Sequence, residues 1–244
     1  MIKRIKPKKL RDICEEWDSV NSKRQQVIEQ GKDISLFTVT SPCILKSIVE
    51  DSPQKVLDVG CGSGYLTAKI AEKVDECIGI DLSEKSITLA RQKYQRKNLS
   101  FVNSEISKYV PESKIDACVA NMVFMSDPEW IQSIKHIYNI LDWNGYFYVM
   151  ITHPCFWPKY WNYQDEEWFC YNEEIYIENN FSISLEKTMG KTTYIHRSLE
   201  QYINGLIKAG FGIEKIEEPY PSMPIPEGYS YSYPRFLFIK CRKQ

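Results

Sequence analysis

A glycine-rich turn and a carboxylate further along the chain are the residues best suited to bind a ligand. Residues 55–65 read Lys-Val-Leu-Asp-Val-Gly-Cys-Gly-Ser-Gly-Tyr, an apolar run that enters a turn with glycines at positions 60, 62 and 64. Because glycine has no Cβ, such a turn lets the backbone approach a ligand closely. Asp81 ends the next apolar run, where a carboxylate can accept both hydroxyls of a ribose. Together these residues predict a site for a nucleoside-containing ligand.

Asp58 and Tyr65 indicate which kind of nucleoside this is. A dinucleotide fingerprint has glycines spaced G-x-G-x-x-G, whereas this turn reads G-x-G-x-G and has Tyr65 at the position of the last glycine. Asp58 lies two residues before the first glycine, where it would repel a pyrophosphate and attract an ammonium group. The sequence therefore favours a cationic nucleoside that carries an amino acid.

Asp58, the glycine turn and Asp81 resemble the motifs of the class I S-adenosylmethionine-dependent methyltransferases. The signature of that family is an acidic residue followed by G-x-G-x-G, with an acidic residue at the end of the second strand. The resemblance extends at least over residues 55–152. It implies S-adenosylmethionine as the cofactor that donates the methyl group and S-adenosylhomocysteine as its product.

The resemblance also implies roles for individual residues. Asp58 and the glycine turn would surround the methionine part of the donor, and Asp81 would bind its ribose. Leu82 would lie against the adenine, whose edge would bind Glu105 and the following backbone N–H. The backbone after the fourth strand would face the methionine amino group, and a tryptophan of the N-terminal helix would cover the donor. The implied donor-binding residues are Trp17, Asp58, Gly60, Cys61, Gly62, Ser63, Gly64, Asp81, Leu82, Glu105, Ile106, Asn121 and Met122.

The sequence after residue 152 predicts where the methyl acceptor binds. Nine of the 24 residues from 153 to 176 are aromatic, against 13% of the whole chain. Aromatic walls exclude water and stack on planar molecules. A second resemblance, to small-molecule methyltransferases of biosynthetic or ubiquinone-pathway type, covers about the last third of the chain and implies that this insertion forms the substrate cavity. The predicted acceptor-binding residues are Trp157, Tyr160, Trp161, Tyr163 and Trp168.

Two histidines are candidates for a general base. His153 follows the fifth strand, at the edge where ligands of open α/β sheets bind, and His196 precedes a helix. A base helps if the acceptor is a hydroxyl or a protonated nitrogen. If it is neither, alignment of donor and acceptor can supply most of the rate.

The class of acceptor is narrowed by a motif that is missing. Residues 121–124 read Asn-Met-Val-Phe, whereas relatives that methylate nucleobases or glutamine commonly have Asn/Asp-Pro-Pro-Tyr/Phe here. We therefore expect a small, largely planar acceptor with an O or N nucleophile. Two other functions stay open: a nicotinamide-dependent oxidoreductase on a Rossmann sheet, and a non-catalytic protein that binds S-adenosylmethionine and assists a partner.

Hydrophobic patterning predicts the elements that position these residues. Short apolar runs alternate with longer amphipathic runs, which predicts a doubly wound, Rossmann-like α/β fold with a mainly parallel seven-stranded sheet and helices on both faces. The predicted core strands are 55–59, 76–81, 99–103, 115–121 and 146–152, and the helices between them are 64–73, 84–96 and 129–140. Helices at 9–30 and 41–51 are expected to cover the carboxyl edge of the sheet. The later elements are strands at 175–177 and 181–185, a helix at 198–209, and an antiparallel edge pair at 213–217 and 236–241.

We expect these elements to form one methyltransferase domain over residues 1–244. Its parts are an N-terminal helical cover (1–53), a cofactor-binding core (54–152), a substrate-cap insertion (153–196), and a C-terminal helix with antiparallel edge strands (197–244).

The composition of the chain limits its possible binding partners and its expected cellular location. The 244 residues include 31 basic and 32 acidic side chains, a net charge of −1 that argues against a nucleic-acid partner. No apolar run is long enough to span a membrane, and the basic residues near the start are followed by acidic ones rather than a secretory apolar run. The eight cysteines lack metal-site spacing, so reduced thiols and no metal are expected. We predict a cytoplasmic protein with a solvated basic terminus, and the oligomeric state stays open.

Overall fold

The structure is a computed structural model that describes residues 2–183, 190–225 and 231–244. Its strands are β1 (Lys3–Ile5), β2 (Lys55–Val59), β3 (Glu76–Asp81), β4 (Leu99–Asn103), β5 (Ile115–Asn121), β6 (Leu141–Thr152), β7 (Ile175–Phe181), β8 (Gly190–His196), β9 (Phe211–Glu217) and β10 (Phe236–Lys243). Its α-helices are α1 (Leu10–Glu29), α2 (Ser41–Asp51), α3 (Tyr65–Ile70), α4 (Glu84–Lys93), α5 (Trp130–Ile140), α6 (Trp157–Tyr160) and α7 (Leu199–Lys208). A π-helical segment (Leu36–Thr40) leads into α2, and 3-10 turns occupy Ile106–Lys108 and Phe124–Ser126.

Seven strands form the central sheet, in the order β4-β3-β2-β5-β6-β10-β9. The first five are parallel, and β10 pairs antiparallel with β6 and β9. Interior parallel strands are buried on both faces, which is why β5 reads as a continuous apolar run and has no exposed residue from Ala117 to Ala120. The order confirms the predicted doubly wound, mainly parallel seven-stranded sheet.

The fifth core strand is longer than predicted. β6 begins at Leu141, which pairs with Ile115, and the register then shifts before Ala117 pairs with Tyr146. Asn144 adopts a left-handed conformation, with φ of +61°, in this irregular part. The polar residues there interrupt the apolar pattern, and so the pattern predicts the strand only from residue 146. Helices α3 and α4 end at Ile70 and Lys93, three residues before their predicted ends at 73 and 96.

A second, three-stranded sheet has the order β1-β7-β8 and is antiparallel. The prediction of a solvated basic terminus is wrong for β1, because Lys3 pairs with Glu178 of β7 both in register and by an ion pair of 3.2 Å. The predicted strand at 175–177 belongs to β7. Phe181 ends β7, while residues 184 and 185 of the predicted strand 181–185 lie outside the described residues. Strand β8 was not predicted.

None of the helices within the described ranges is both long and apolar enough to cross a bilayer. All eight cysteines are free, and Cys77 and Cys118 are buried in the central sheet.

Arg197, directly after β8, connects the second sheet to the central one. Its side chain is 1% exposed, and its Nε donates to Glu174 Oε2 at 2.6 Å. Nη1 donates to the carbonyl oxygen of Phe124 at 2.6 Å and Nη2 to that of Asp127 at 3.0 Å. The guanidinium carbon also lies 5.2 Å from the centroid of the Trp130 ring. The turn after β5 is therefore held by the residue that directly follows the last strand of the second sheet.

We expect Arg197→Met to lower the free energy of unfolding by about 3 kcal/mol, at the lower end of the range for breaking a buried charge pair. Two buried carbonyls lose their donor, whereas Glu174 is 39% exposed and regains water. Urea denaturation measures the change. Arg96→Met is the matched control, because Arg96 pairs with Glu72 at the surface and should contribute less than about 1 kcal/mol. Equal effects of the two variants would contradict the structural role of Arg197.

Candidate functional site

The turn between β2 and α3 contains three glycines in the left-handed region. Gly60, Gly62 and Gly64 have φ of +67°, +55° and +83°. A Cβ on Gly60 would lie 2.6 Å from Val123 Cγ2, and one on Gly64 would lie 2.7 Å from Phe101 Cζ, so these two glycines permit close packing. A Cβ on Gly62 would have no atom within 4 Å, and Gly62 lines a cavity. The turn thus presents its middle glycine to ligand space.

Asp81, the last residue of β3, is fixed by two backbone donors. The N–H of Gly62 donates to its Oδ2 and the N–H of Ser83 to its Oδ1, each at 2.8 Å. Burial raises the pKa of Asp81, while these bonds and the charge of Arg24 oppose the rise. A carboxylate oxygen has two lone pairs, so one acceptor position remains on each oxygen. Two neighbouring hydroxyls, as on a ribose, match that arrangement.

Asp58 lies in β2, two residues before the turn, and is 2% exposed. Its Oδ2 accepts a hydrogen bond from Thr67 Oγ1 at 2.7 Å. Burial raises the pKa of Asp58 to about 7, because the Thr67 bond offsets only part of the desolvation. This carboxyl group therefore changes charge near neutral pH.

A cavity of about 200 Å³ lies at the carboxyl ends of β2 to β5 and gathers the predicted donor-binding residues. The exception is Gly64, which packs on Phe101 instead. The predicted residues that line this first cavity are Trp17, Asp58, Gly60, Cys61, Gly62, Ser63, Asp81, Leu82, Glu105, Ile106, Asn121 and Met122.

The loops after β3 and β4 are tied to each other. Asn103 Nδ2 donates to the carbonyl oxygens of Asp81 and Leu82 at 2.9 and 2.8 Å. Glu105, whose side chain is 27% exposed, forms an ion pair with Lys108 at 2.8 Å. Both Leu82 and Glu105 line the first cavity, so the structure brings the two predicted adenine contacts to one ligand space.

The chain after β5 adopts an unusual backbone conformation. Met122 has φ of +63°, which costs a residue with a side chain about 1 kcal/mol or more. Its N–H donates to the carbonyl of Met150 at 2.8 Å. The neighbouring Asn121 Oδ1 is buried without a hydrogen-bond partner among the described residues. Strain and an unpaired acceptor at a cavity wall indicate a ligand contact.

Helix α1 forms one wall of the first cavity. The wall residues recur every three or four positions and so share one face of the helix: Leu10, Ile13, Cys14, Trp17, Asn21, Arg24 and Ile28. The helix is attached to the start of α4 by a 2.6 Å hydrogen bond from Asn21 Nδ2 to Ser86 Oγ and by one from Ser83 Oγ to Asp18. It is attached to β8 by the N–H of Thr193, which donates to Glu16 Oε2 at 2.7 Å.

A second cavity, of about 300 Å³, adjoins the first. The residues that line both are Trp17, Arg24, Leu36, Asn121, Met122 and Ser126. The other aromatic residues of the second cavity are Trp157, Tyr160, Trp161, Phe181, Tyr194 and Phe236.

Two of the five predicted acceptor-binding residues, Tyr163 and Trp168, are not among the residues that line the second cavity. Tyr163 is fully buried and stacks on Trp168 with ring centroids 6.0 Å apart. Its hydroxyl donates to His196 Nδ1 at 3.2 Å. These two residues pack behind the aromatic wall and support it.

Neither candidate histidine lines either cavity. His153 is 3% exposed, and its Nε2 lies 2.8 Å from Glu218 Oε1. His196 Nε2 donates to the carbonyl of Tyr171 at 3.0 Å. Burial lowers the pKa of both imidazoles. Their placement favours a structural role, and a role as general base stays a prediction.

Arg24 is a candidate that the sequence analysis missed. It lines both cavities and is the one basic side chain among the described residues around the first. Its Nε is buried without a hydrogen-bond partner in the described part of the chain, and its guanidinium carbon lies 5.9 Å from the Trp17 ring centroid. Trp17 and Arg24 are seven residues apart on one helix, and this spacing could have identified the residue.

Comparison with known proteins identifies the type of domain. Residues 56–145 match the family described as "Methyltransferase domain". A crystal structure from Listeria monocytogenes, provisionally described as an S-adenosylmethionine-dependent methyltransferase, is similar with a TM-score of 0.67 and 28% identity, covering 84% of this chain and 98% of that one. These findings confirm the predicted methyltransferase class and its Rossmann-like fold.

Two curated relatives match a shorter segment. Malonyl-[acyl-carrier protein] O-methyltransferase 2 of Ilyobacter polytropus is 32% identical over 99 residues, and trans-aconitate 2-methyltransferase of Rhodopseudomonas palustris is 28% identical over 96 residues. Each match covers 38% of this chain and 37% of the relative. The chain thus spans little more than a third of the length of these relatives.

We expect Gly62→Val to abolish measurable binding of S-adenosylhomocysteine in calorimetric titrations. The new side chain would extend into the first cavity, where no protein atom opposes it. Gly31→Val is the matched control, because Gly31 also has a positive φ, +69°, and open space at its Cβ position but does not line a cavity. Both variants should lose about 1–2 kcal/mol of stability to left-handed strain, and only Gly62→Val should lose binding. Comparable loss of binding in both would show that strain, not occlusion, is responsible.

Proposed function

From the premise that this chain carries a class I S-adenosylmethionine-dependent methyltransferase domain, we propose that it methylates an oxygen or nitrogen nucleophile of a small, largely planar molecule. The observation that carries the proposal is the wall shared by the two cavities. A donor in the first cavity and an acceptor in the second would meet there. Direct transfer requires such contact, since positioning can supply about 7 kcal/mol or more of the barrier reduction.

The residues around the first cavity fit S-adenosylmethionine. In this proposal Asp58 would pair with the ammonium group of the methionine part, and Arg24 would pair with its carboxylate. Asp81 has a free acceptor position on each oxygen for the ribose hydroxyls, and Gly62 leaves room for the ligand. When bound, this cofactor supplies an electrophilic methyl carbon on a sulfonium. Opposite charges at the two ends of the methionine part would fix its direction.

The second cavity suits a planar acceptor. Its aromatic side chains can stack on a flat molecule and tolerate a nearby sulfonium. Trp157, Tyr160 and Trp161 contribute this wall from α6 and the residue after it. The proposal does not depend on His153 or His196, since neither lines the cavity.

The alternative functions are less well supported. A nicotinamide dinucleotide would bring its pyrophosphate close to Asp58, which is buried beside the glycine turn. A protein that only binds the donor would have no need of a second cavity joined to the first. The arrangement of both cavities therefore supports catalysis by the chain itself.

Transfer of label from methyl-labelled S-adenosylmethionine tests the function. We expect label to enter the small-molecule fraction of a cell extract and to stay out of its nucleic acids and proteins. Asp81→Ala should weaken binding of S-adenosylhomocysteine by about 2–3 kcal/mol, because two hydrogen bonds to one carboxylate are lost together, and should reduce transfer. Label confined to nucleic acid or protein would contradict the proposed acceptor class. Absence of transfer to every fraction would contradict the activity.

Donor binding should also depend on pH through Asp58. The folded-state pKa is about 7 and thus raised above the ordinary value, so the group is largely protonated below pH 7. An ammonium-bearing ligand binds the ionised form, and its affinity should fall as the pH drops through 7, approaching tenfold per pH unit. The dissociation constant of S-adenosylhomocysteine between about pH 5.5 and pH 8.5 measures this. Asp58→Asn should bind more weakly at high pH and lack the dependence. A pH-independent constant in the unmodified protein would contradict the ammonium contact.

A further inference from the structure

The second cavity has a charge pattern that narrows the acceptor further. Its described lining residues include two guanidinium groups, Arg24 and Arg235, and one carboxyl group, Asp33. Arg24 also lines the first cavity, where the carboxylate of the donor would use its charge. Arg235 lines only the second of the two cavities.

Arg235 is held in a defined orientation. Its side chain is 6% exposed, and its Nη1 donates to Tyr160 Oη at 3.1 Å. Its guanidinium carbon lies 4.1 Å from the Tyr160 ring centroid and 5.1 Å from that of Tyr231. A guanidinium fixed by aromatic faces offers its N–H groups in a plane, which matches the geometry of a carboxylate.

Besides Arg24 Nε and the acceptor Asn121 Oδ1, two more polar atoms around this cavity have no hydrogen-bond partner among the described residues. Trp157 Nε1 and Thr193 Oγ1 are buried and make no hydrogen bond with the described residues. The indole N–H can only donate, and the hydroxyl can donate or accept. Buried polar groups are rarely left unpaired, so a ligand here is expected to bring acceptor atoms.

The cavity offers few groups that could take a proton. Its described lining residues include no His, Lys, Cys or Glu. Asp33 remains, but its Oδ1 already accepts from the N–H of Leu36 at 3.0 Å. A hydroxyl or ammonium nucleophile must lose a proton to be methylated, whereas a carboxylate is already ionised at neutral pH.

We infer that the acceptor is a small, planar carboxylic acid, bound as its carboxylate by Arg235 and methylated on a carboxylate oxygen. The inference rests on the proposed function and specifies its substrate class. A lone pair of the oxygen forms the new bond to the methyl carbon as the carbon–sulfur bond breaks, and that electron pair stays on sulfur. The products are a neutral methyl ester and S-adenosylhomocysteine, and no proton is released.

The stability of the methylated product in alkali tests the inference and does not require the acceptor to be identified first. The purified chain is incubated with methyl-labelled donor and a small-molecule extract, and the product is treated with base. Methyl esters release labelled methanol, whereas N-methyl compounds and aryl methyl ethers do not; a reaction without protein corrects for decay of the donor. Volatile label supports the inference. Base-stable label overturns it and leaves the proposed function standing, and absence of any label overturns both.

Variants of Arg235 test its role in binding the acid. With the extract fraction that accepts label, Arg235→Gln should raise the KM for the acceptor at least tenfold and leave the affinity for S-adenosylhomocysteine unchanged. Arg235→Lys should raise the KM for the acceptor by less, because lysine keeps the positive charge but lacks the planar set of N–H donors. Arg242→Gln is the matched control: it removes the same charge from the same region, where Arg242 pairs with Glu214 at the surface. An unchanged KM in Arg235→Gln would overturn the assignment.

Discussion

The buried guanidinium of Arg197 is the interaction on which both cavities depend. It joins β8 to the turn after β5 through the carbonyls of Phe124 and Asp127, and Glu174 compensates its charge. A cation removed from water is tolerated only where all its partners are in place. The second sheet shares no strand with the central sheet, yet this contact fixes it against the turn that contains Ser126, a residue of the wall between the cavities. Because of this contact, the second sheet can form one wall of a binding site.

The first cavity could be predicted from the sequence because its residues are close in both sequence and topology. Asp58, the glycine turn and Asp81 lie at the ends of β2 and β3, which are parallel neighbours, so their spacing along the chain determines their separation in space. Strands β2, β3 and β5 were predictable because interior parallel strands, which are buried on both faces, are continuous apolar runs.

For the second cavity, the sequence predicted only an aromatic composition, because the geometry of this cavity depends on contacts between residues that are distant in the chain. The aromatic insertion indicated a cavity, but which rings line it and which support it follows from the packing of Tyr163 and Trp168 behind the wall. The positions of His153 and His196 in the sequence pointed to the sheet edge, but Glu218 and the carbonyl of Tyr171 hold their rings away from the cavities. Arg24 was missed, although it lies seven residues after Trp17 and so shares its face of α1. Strand β1 forms only by pairing with β7, far along the chain.

The position of α1 also bears on how ligands would enter and leave the two cavities. One helix supplies Trp17 and Arg24 to both cavities, so neither chamber can open widely on this side without disturbing the other. Buried Ile13 and Val20 and hydrogen bonds to the start of α4 and to β8 hold the helix, and each of the two bonds that end on a carboxylate contributes about 1.5–3 kcal/mol net. A single outward swing of α1 would uncover donor and acceptor together. Release of S-adenosylhomocysteine and release of the methylated product would then require the same opening motion. The turnover rate could not exceed the rate of that motion.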